Sequence, residues 1–118
     1  MDLREVMQQK RFAVLGDTLN PEKYACTIKT KMREAGYTVY AVGKELESLN
    51  QIEGEIDVID LCIHPVKGLK LLKENKKAFQ CIVIQPGADD PELIAWLEEE
   101  KIPYLHGCLL KGLEQYVK

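Results

Sequence analysis

The loop of residues 16–21, Gly-Asp-Thr-Leu-Asn-Pro, has the composition of a turn that can bind an anion. A short apolar run ends at Gly16, and Asn20 followed by Pro21 is a typical helix start, with Asn20 as the N-cap. The backbone N–H groups of such a turn are free, and the positive end of the helix dipole adds to their attraction for negative charge. The turn therefore suggests a ligand that carries phosphate.

The glycine count of this loop argues against ordinary NAD binding. A dinucleotide fingerprint has the pattern G-x-G-x-x-G, and Thr18 and Pro21 stand where its second and third glycines would be. An NAD domain also places an acid at the end of its second strand, where this chain has Gly43 and Lys44. A lysine there favours a phosphate, as on a phosphorylated ribose, unless Lys44 is simply solvated. Glu45 is a weak substitute for the acid.

Further candidate ligand-binding residues follow the later apolar runs. His64 stands directly before Pro65, where its imidazole could contact a ligand or only cap a helix. The turn after the fourth run offers the Gln85 amide and flexible backbone at Gly87, although a purely structural turn has the same composition.

His106 and Cys108 are a histidine and a cysteine that lie close together in the sequence. A base beside a thiol can form a nucleophile, but no third group that would orient the histidine is evident, so we expect no catalytic residue. Cys108 could still exchange disulfides with a thiol ligand if its thiolate is accessible. The four cysteines form no C-x-x-C pair, so we expect no metal site and expect the first three to be buried free thiols.

The composition is typical of an ordinary globular protein. Its 118 residues are enough for one domain with one core, and hydrophobic residues make up 46%. The net charge of -3 gives no global attraction for nucleic acid or an anionic membrane, so phosphate binding must be local. The charged first residues are unlike a signal peptide, and no apolar run could span a membrane. We predict one cytoplasmic domain over residues 1–118, and apolar helix surface that favours a homodimer.

Five short runs rich in β-forming residues alternate with helix patterns. The predicted strands are residues 12–15, 38–42, 58–63, 81–84 and 102–105. Helices are predicted over residues 20–36, from Pro65 to about Lys77, from Asp90 onward, and at residues 2–9 and 110–117. Residues 43–55 form either a loop or a short helix. The alternation implies an α/β fold of three αβα layers with parallel strands, whose ligand lies at the carboxyl ends of the strands.

Taken together, the strand ends resemble the CoA-binding domain family, small standalone Rossmann-like proteins related to the nucleotide-binding domain of the succinyl-CoA synthetase α subunit. The resemblance extends from about Arg11 to Leu113. It rests on residues 14–18, 20–23, 36–42 and 57–61, and on Pro65, Gln85, Gly87 and Cys108.

The resemblance implies a Rossmann-like sandwich with a five-stranded parallel sheet, and CoA or an acyl-CoA as the ligand. Gly16, Thr18 and Pro21 would shape the phosphate loop, and Lys23 stands where the family often has a basic residue. Gln85 and Gly87 would border the extended part of the ligand. The predicted cofactor-binding residues are Gly16, Asp17, Thr18, Asn20, Pro21, Lys23, Gly43, Lys44, His64, Pro65, Gln85, Gly87 and Cys108.

Three functions stay open at this point, and we predict the first, a CoA-binding module with no catalytic activity of its own. The second is an NAD(P)-dependent enzyme domain. The family commonly has Asn-Pro after the second strand and an arginine near the end of the third. This chain has Gly43-Lys44 and Ile63-His64 at those places, which keeps open a regulatory or interaction domain that has lost its nucleotide ligand.

Overall fold

The computed structural model describes residues 1–117, which fold around a five-stranded parallel sheet. The strands are β1 (Arg11–Gly16), β2 (Thr38–Gly43), β3 (Val58–Cys62), β4 (Cys81–Ile84) and β5 (Tyr104–His106). The helices are α1 (Leu3–Val6), α2 (Tyr24–Glu34), α3 (Pro65–Glu74), α4 (Pro91–Glu99) and α5 (Leu109–Tyr116), with a 3-10 turn at Leu49–Gln51. The strands lie in the order β2-β1-β3-β4-β5, so the chain reverses its direction across the sheet after β2.

Helices cover both faces of the sheet, which confirms the predicted three-layer αβα fold. Ala13 and Leu15 of β1 pack in one core with α3 and α4, while Phe12 and Val14 pack in a second core with α1, α2 and α5. All four side chains are fully buried. A strand covered on both faces has no reason to alternate apolar with polar residues, so its sequence is a continuous apolar run.

Helix α2 begins at Tyr24, so the prediction that Asn20 caps it and Pro21 opens it is wrong. The Asn20 side-chain oxygen accepts a hydrogen bond from the Glu22 N–H at 3.0 Å, and the Asn20 carbonyl accepts one from the Lys23 N–H at 3.0 Å. These bonds close a separate turn over residues 20–23. The true N-cap is Lys23, which has no side-chain capping bond.

Other element bounds differ from the prediction by a few residues. β5 begins at Tyr104, because Pro103 has no N–H to donate to a sheet ladder. α1 is only four residues long, and α3 ends at Glu74 rather than near Lys77. The undecided segment 43–55 contains the 3-10 turn, which Ser48 caps. Among residues 1–117, no helix combines the length and the apolar character needed to cross a membrane.

Asp60 is a fully buried carboxyl in the middle of the central strand β3. Its register partners in the neighbouring strands are Val14 and Val83. Neither carboxyl oxygen has a hydrogen-bond partner among the described residues. Burial without partners disfavours the charged form and raises the pKa of Asp60 well above its usual value of 3.8. The folded protein therefore favours a protonated Asp60.

This carboxyl predicts how stability depends on pH. The folded state binds the Asp60 proton more tightly than the unfolded chain, so the cost of burying this group is smallest below pH 3.8, where both states hold the proton. The free energy of unfolding then falls as pH rises towards the raised pKa, by at most about 1.4 kcal/mol per pH unit. Asp60→Val removes the unpartnered group, and we expect the variant to be about 2 kcal/mol more stable at neutral pH. Urea denaturation between pH 4 and 8 measures both effects.

Asp57 supplies the control, because its carboxylate has partners. It accepts hydrogen bonds from the N–H groups of Lys10 and Arg11, at 3.2 and 2.9 Å. We expect Asp57→Asn to lower the free energy of unfolding. Parallel pH profiles for the native protein and Asp60→Val would contradict a raised pKa at Asp60.

Candidate functional site

A cleft of about 490 Å³ lies at the carboxyl edge of the sheet, where β1 and β3 lie side by side at the point where strand order reverses. In a doubly wound sheet this is the usual place for a ligand. The cleft is bordered by residues 16–17, 23–25, 43–44, 62–64 and 86–88 and by Lys67. Each group follows a strand or begins a helix, so the fold itself brings together residues far apart in the chain.

At the base of the cleft, Gly16 and Gly43 allow neighbouring segments of the chain to lie closer together than side chains would permit. A Cβ on Gly16 would lie 2.5 Å from the Cys62 carbonyl oxygen and 2.7 Å from the Ala25 Cβ. Gly43 has a φ of +124°, and a Cβ there would lie 2.9 Å from the Gly16 carbonyl oxygen. Without side chains at Gly16 and Gly43, the start of α2 can sit directly against the ends of β1 and β3.

The N-terminus of α2 is open to an acceptor from outside the protein. No side chain of residues 1–117 caps it, so the N–H groups of Tyr24 and Ala25 have no helical partner. At the starts of α4 and α5, by contrast, a side chain accepts a hydrogen bond from a backbone N–H group of the first turn. Asp90 accepts from the first turn of α4, and the Gln85 side chain accepts from Leu109 N at the start of α5. The open N–H groups and the helix dipole favour an anion at the start of α2.

Three lysines from three different segments border the cleft: Lys23 before α2, Lys44 after β2 and Lys67 in the first turn of α3. None of the ion pairs among the described residues involves them. The one acidic residue at the cleft, Asp17, accepts hydrogen bonds from the N–H groups of Leu19 and Asn20. The cleft is therefore locally cationic in a protein whose net charge is -3.

His64 caps α3 and also borders the cleft, which confirms the capping interpretation, while its contact with a ligand stays a prediction. Its Nδ1 accepts a hydrogen bond from the Val66 N–H at 3.3 Å, at the start of α3. An accepting Nδ1 carries no proton, so in the neutral ring the proton is on Nε2. His64 thus keeps one N–H donor for a ligand.

Thr18 lies outside the cleft and is fully buried. Its hydroxyl donates a hydrogen bond to Glu45 Oε2 at 2.6 Å, and Lys29 Nζ lies 3.0 Å from the same oxygen. The hydrogen bond from Thr18, and then the hydrogen bond and charge of Lys29, lower the pKa of Glu45 against the opposing effect of burial. The exposed Glu45 is thereby paired within the protein, and its bond with Thr18 joins the loop after β1 to the segment after β2.

The other predicted residues that do not border the cleft have structural contacts. The Gln85 side chain accepts from Leu109 N at 3.1 Å and donates to Cys108 Sγ at 3.3 Å, which joins the end of β4 to the start of α5. Asn20 and Pro21 lie in the turn before α2, and Pro65 is the first residue of α3. Direct ligand contact by these residues, by Thr18 and by Cys108 stays a prediction.

The structure adds cleft residues that the sequence did not single out, of which Lys67 and Cys62 matter most. Lys67 belongs to a helix with further lysines at Lys70 and Lys73, a pattern that by itself is typical of a solvated face. The position of Lys67 in the first turn after a parallel strand was the signal that could have found it. Cys62 is the last residue of β3, and burial raises the pKa of its thiol to about 12, so it stays protonated near neutral pH.

The histidine and cysteine of the last strand end have different side-chain partners among residues 1–117. Asp89 Oδ2 lies 3.2 Å from His106 Nε2, so a group that could orient the histidine does exist. However, Tyr104 packs in the core beside α3 and α4, and alternation along β5 places His106 on that same face. Cys108 lies after the strand, bonded to Gln85. Among residues 1–117, no three potential ligands gather to hold a metal ion.

Comparison with known proteins identifies relatives of the whole fold. A family model described as a CoA binding domain matches residues 10–114. No protein with a curated description matches the chain. Among solved structures, a conserved hypothetical protein from Pyrococcus furiosus is 28% identical, with 87% of this chain and 98% of that chain covered and a TM-score of 0.78.

Two further solved structures share the fold at lower identity. A hypothetical protein from Pyrococcus horikoshii OT3 is 22% identical, with 99% of this chain and 91% of that chain covered and a TM-score of 0.88. A protein from Thermus thermophilus is 23% identical, with 98% and 99% covered and a TM-score of 0.76. Both structures match almost the full length of this chain, so they support the arrangement of all five strands.

The close packing at Gly16 predicts a large loss of stability for Gly16→Ala. The new Cβ would overlap a backbone carbonyl, which cannot move without distorting β3, and we expect a cost of about 3 kcal/mol or more. Gly36 and Gly87 have positive φ but open space around them, so their alanine variants should lose only about 1–2 kcal/mol. Urea denaturation would rank the three. Equal losses at Gly16 and Gly36 would show that the contact is not tight.

Proposed function

Because this chain belongs to the CoA binding domain family, we propose that it binds coenzyme A or an acyl-CoA in the cleft at the carboxyl edge of its sheet. The observation that carries the proposal is the convergence of three lysines without ion-pair partners among residues 1–117 on the uncapped start of α2. CoA has a pyrophosphate and a separate phosphate on the ribose. A site with several cations and free backbone N–H groups suits such a ligand.

We assign the pyrophosphate to the start of α2. The N–H groups of Tyr24 and Ala25 supply donors, and the absent side chain of Gly16 lets the start of α2 lie directly against β1 and β3, which brings these donors to the cleft. Lys23, the residue before the helix, adds a positive charge next to them. Backbone donors of this kind recognise phosphate without a glycine-rich fingerprint, so the single glycine of the loop is sufficient.

We assign the ribose phosphate to Lys44. It follows β2 directly, where an NAD domain would have an acid that binds the ribose hydroxyls. The nearby Glu45 already accepts a hydrogen bond from Thr18 and pairs with Lys29 through its Oε2, so its charge is partly neutralised within the protein. A cation at the ribose position therefore favours a phosphorylated ribose, as in CoA.

The rest of the ligand would extend past residues 86–88 towards Cys62. We propose a binding role without catalysis, since the nucleophiles near this path are not activated. The Cys62 thiol has a pKa of about 12, and Cys108 Sγ accepts a hydrogen bond from Gln85 rather than pairing with a base. We also keep the cytoplasm as the proposed location and a homodimer as the proposed assembly.

An NADP-binding enzyme domain is the second candidate, because Lys44 would also suit the ribose phosphate of NADP. A panel of ligands in a thermal-shift assay separates the two. A ligand that binds only the folded state raises the melting temperature by mass action. We expect CoA to raise it at submillimolar concentration, and NAD and NADP to leave it unchanged. A shift with NADP but not CoA would reject CoA binding, and no shift with any of them would favour a domain that has lost its ligand.

Lys44→Gln tests the assignment of the ribose phosphate. Loss of a charged hydrogen bond costs roughly 1.5 kcal/mol, so we expect about tenfold weaker binding of CoA. Binding of dephospho-CoA, which lacks this phosphate, should stay the same. Isothermal titration measures both. Lys70→Gln is the control, because Lys70 is an exposed lysine of α3 that does not border the cleft. An equal effect of Lys44→Gln on both ligands would place the phosphate elsewhere.

A further inference from the structure

The residue that follows Lys44 in the chain is an acid, Glu45, and both residues are exposed. A free carboxylate beside a lysine competes with a phosphate for the ammonium group, and it also repels the negative charge of the phosphate. Lys44 borders the cleft, whereas Glu45 does not. Phosphate binding at Lys44 therefore depends on the groups that hold and neutralise Glu45.

Two side chains hold Glu45 through the same oxygen. Lys29 Nζ lies 3.0 Å from Glu45 Oε2, and the Lys29 side chain is only 14% exposed. Thr18, which is fully buried, donates to Oε2 at 2.6 Å. A buried donor and a largely buried cation both favour the ionised carboxylate. The charge of Glu45 is therefore paired with groups of α2 and of the loop after β1.

The backbone around Lys44 is fixed by hydrogen bonds of its own turn. The Gly43 N–H donates to the Leu46 carbonyl at 2.7 Å, and the Leu46 N–H donates to the Ala41 carbonyl at 3.1 Å. These bonds close the turn without any contribution from the Glu45 side chain. Glu45 therefore stays next to Lys44 in the turn even when the partners of its carboxylate are removed.

Lys44 has no ion-pair partner among residues 1–117, although an acid stands beside it. We propose that Lys29 and Thr18 determine which nucleotides the cleft binds. Because they pair with Glu45, Lys44 stays available to a phosphate, and the cleft favours a phosphorylated ribose over an unmodified one. This inference rests on the proposed function, in which Lys44 binds the ribose phosphate. Neither Lys29 nor Thr18 borders the cleft, so both are positioning residues, which act on the ligand through their neighbours.

A purely structural link between the loop after β1 and the turn after β2 predicts a different result. Its loss would loosen the turn and weaken the binding of every nucleotide by the same factor. An unpaired Glu45 acts through its charge instead, because it attracts Lys44 and repels the phosphate nearest to it, the one on the ribose. The two roles are therefore separated by comparing CoA with dephospho-CoA, which differ in that phosphate alone.

Isothermal titration of the full chain measures the ratio of the dissociation constants of dephospho-CoA and CoA. We expect a ratio of about ten in the native protein. Lys29→Gln leaves the charge of Glu45 uncompensated, and we expect the ratio to fall by about threefold through weaker binding of CoA. Lys31→Gln is the matched control, because Lys31 is an exposed lysine of α2 that does not border the cleft. This variant should keep the native ratio.

Removing the acid as well tests the mechanism. The double variant Lys29→Gln with Glu45→Gln should recover the native ratio, because no negative charge is left beside Lys44, whereas a structural link would stay broken. Thr18→Val should lower the ratio by a smaller factor than Lys29→Gln, because Lys29 still pairs with the acid. Thr18→Ser keeps the hydroxyl and should keep the native ratio.

The outcomes separate this inference from the proposed function. A native ratio in Lys29→Gln, or a ratio that stays low in the double variant, would overturn the inference and leave CoA binding intact. Equal binding of CoA and dephospho-CoA by the native protein would also overturn it. If neither compound binds the native protein, the proposed function fails and the inference fails with it.

Discussion

The carboxyl edge of this fold depends on the absence of a side chain at Gly16. A Cβ there would overlap both the Cys62 carbonyl oxygen and the Ala25 Cβ. Because Gly16 has no side chain, α2 starts directly beside the junction of β1 and β3, and its first N–H groups lie at the cleft. The site therefore follows from backbone packing, and the charged side chains add to an anion preference that the backbone already has.

Much of the fold could be predicted because the strands are short apolar runs covered on both faces, with helix patterns between them. The errors lie where local hydrogen bonds compete with helix propensity. Asn20 and Pro21 have the composition of a helix start, but the Asn20 side chain is used in a turn that ends before α2 begins. The residue types at this position are the same for a cap and for a turn, so sequence could not separate them.

The cleft was predicted in outline because parallel strands bring their carboxyl ends to one edge. Individual contacts depend on side-chain direction, which sequence position alone does not define. Thr18 lies within the loop after β1 that the sequence suggests as a phosphate site, yet its hydroxyl donates to Glu45 and the residue is fully buried. Lys67 belongs to a lysine-rich helix with a solvated face, yet its place in the first turn brings it to the cleft. The position of a lysine along α3 thus decides whether it borders the cleft: Lys67 in the first turn does, and Lys73 near the end of the helix does not.

The bond between Thr18 and Glu45 also bears on ligand choice. In an NAD domain the acid after β2 is free to accept hydrogen bonds from ribose hydroxyls. Here the neighbouring carboxylate is already bonded to Thr18 and to Lys29, while Lys44 beside it has no such partner among residues 1–117. The end of β2 therefore exposes a cation without an ion-pair partner in the described chain, beside a carboxylate that is already paired. Under the proposed assignment of the ribose to this place, the arrangement favours a phosphorylated ribose over an unmodified one.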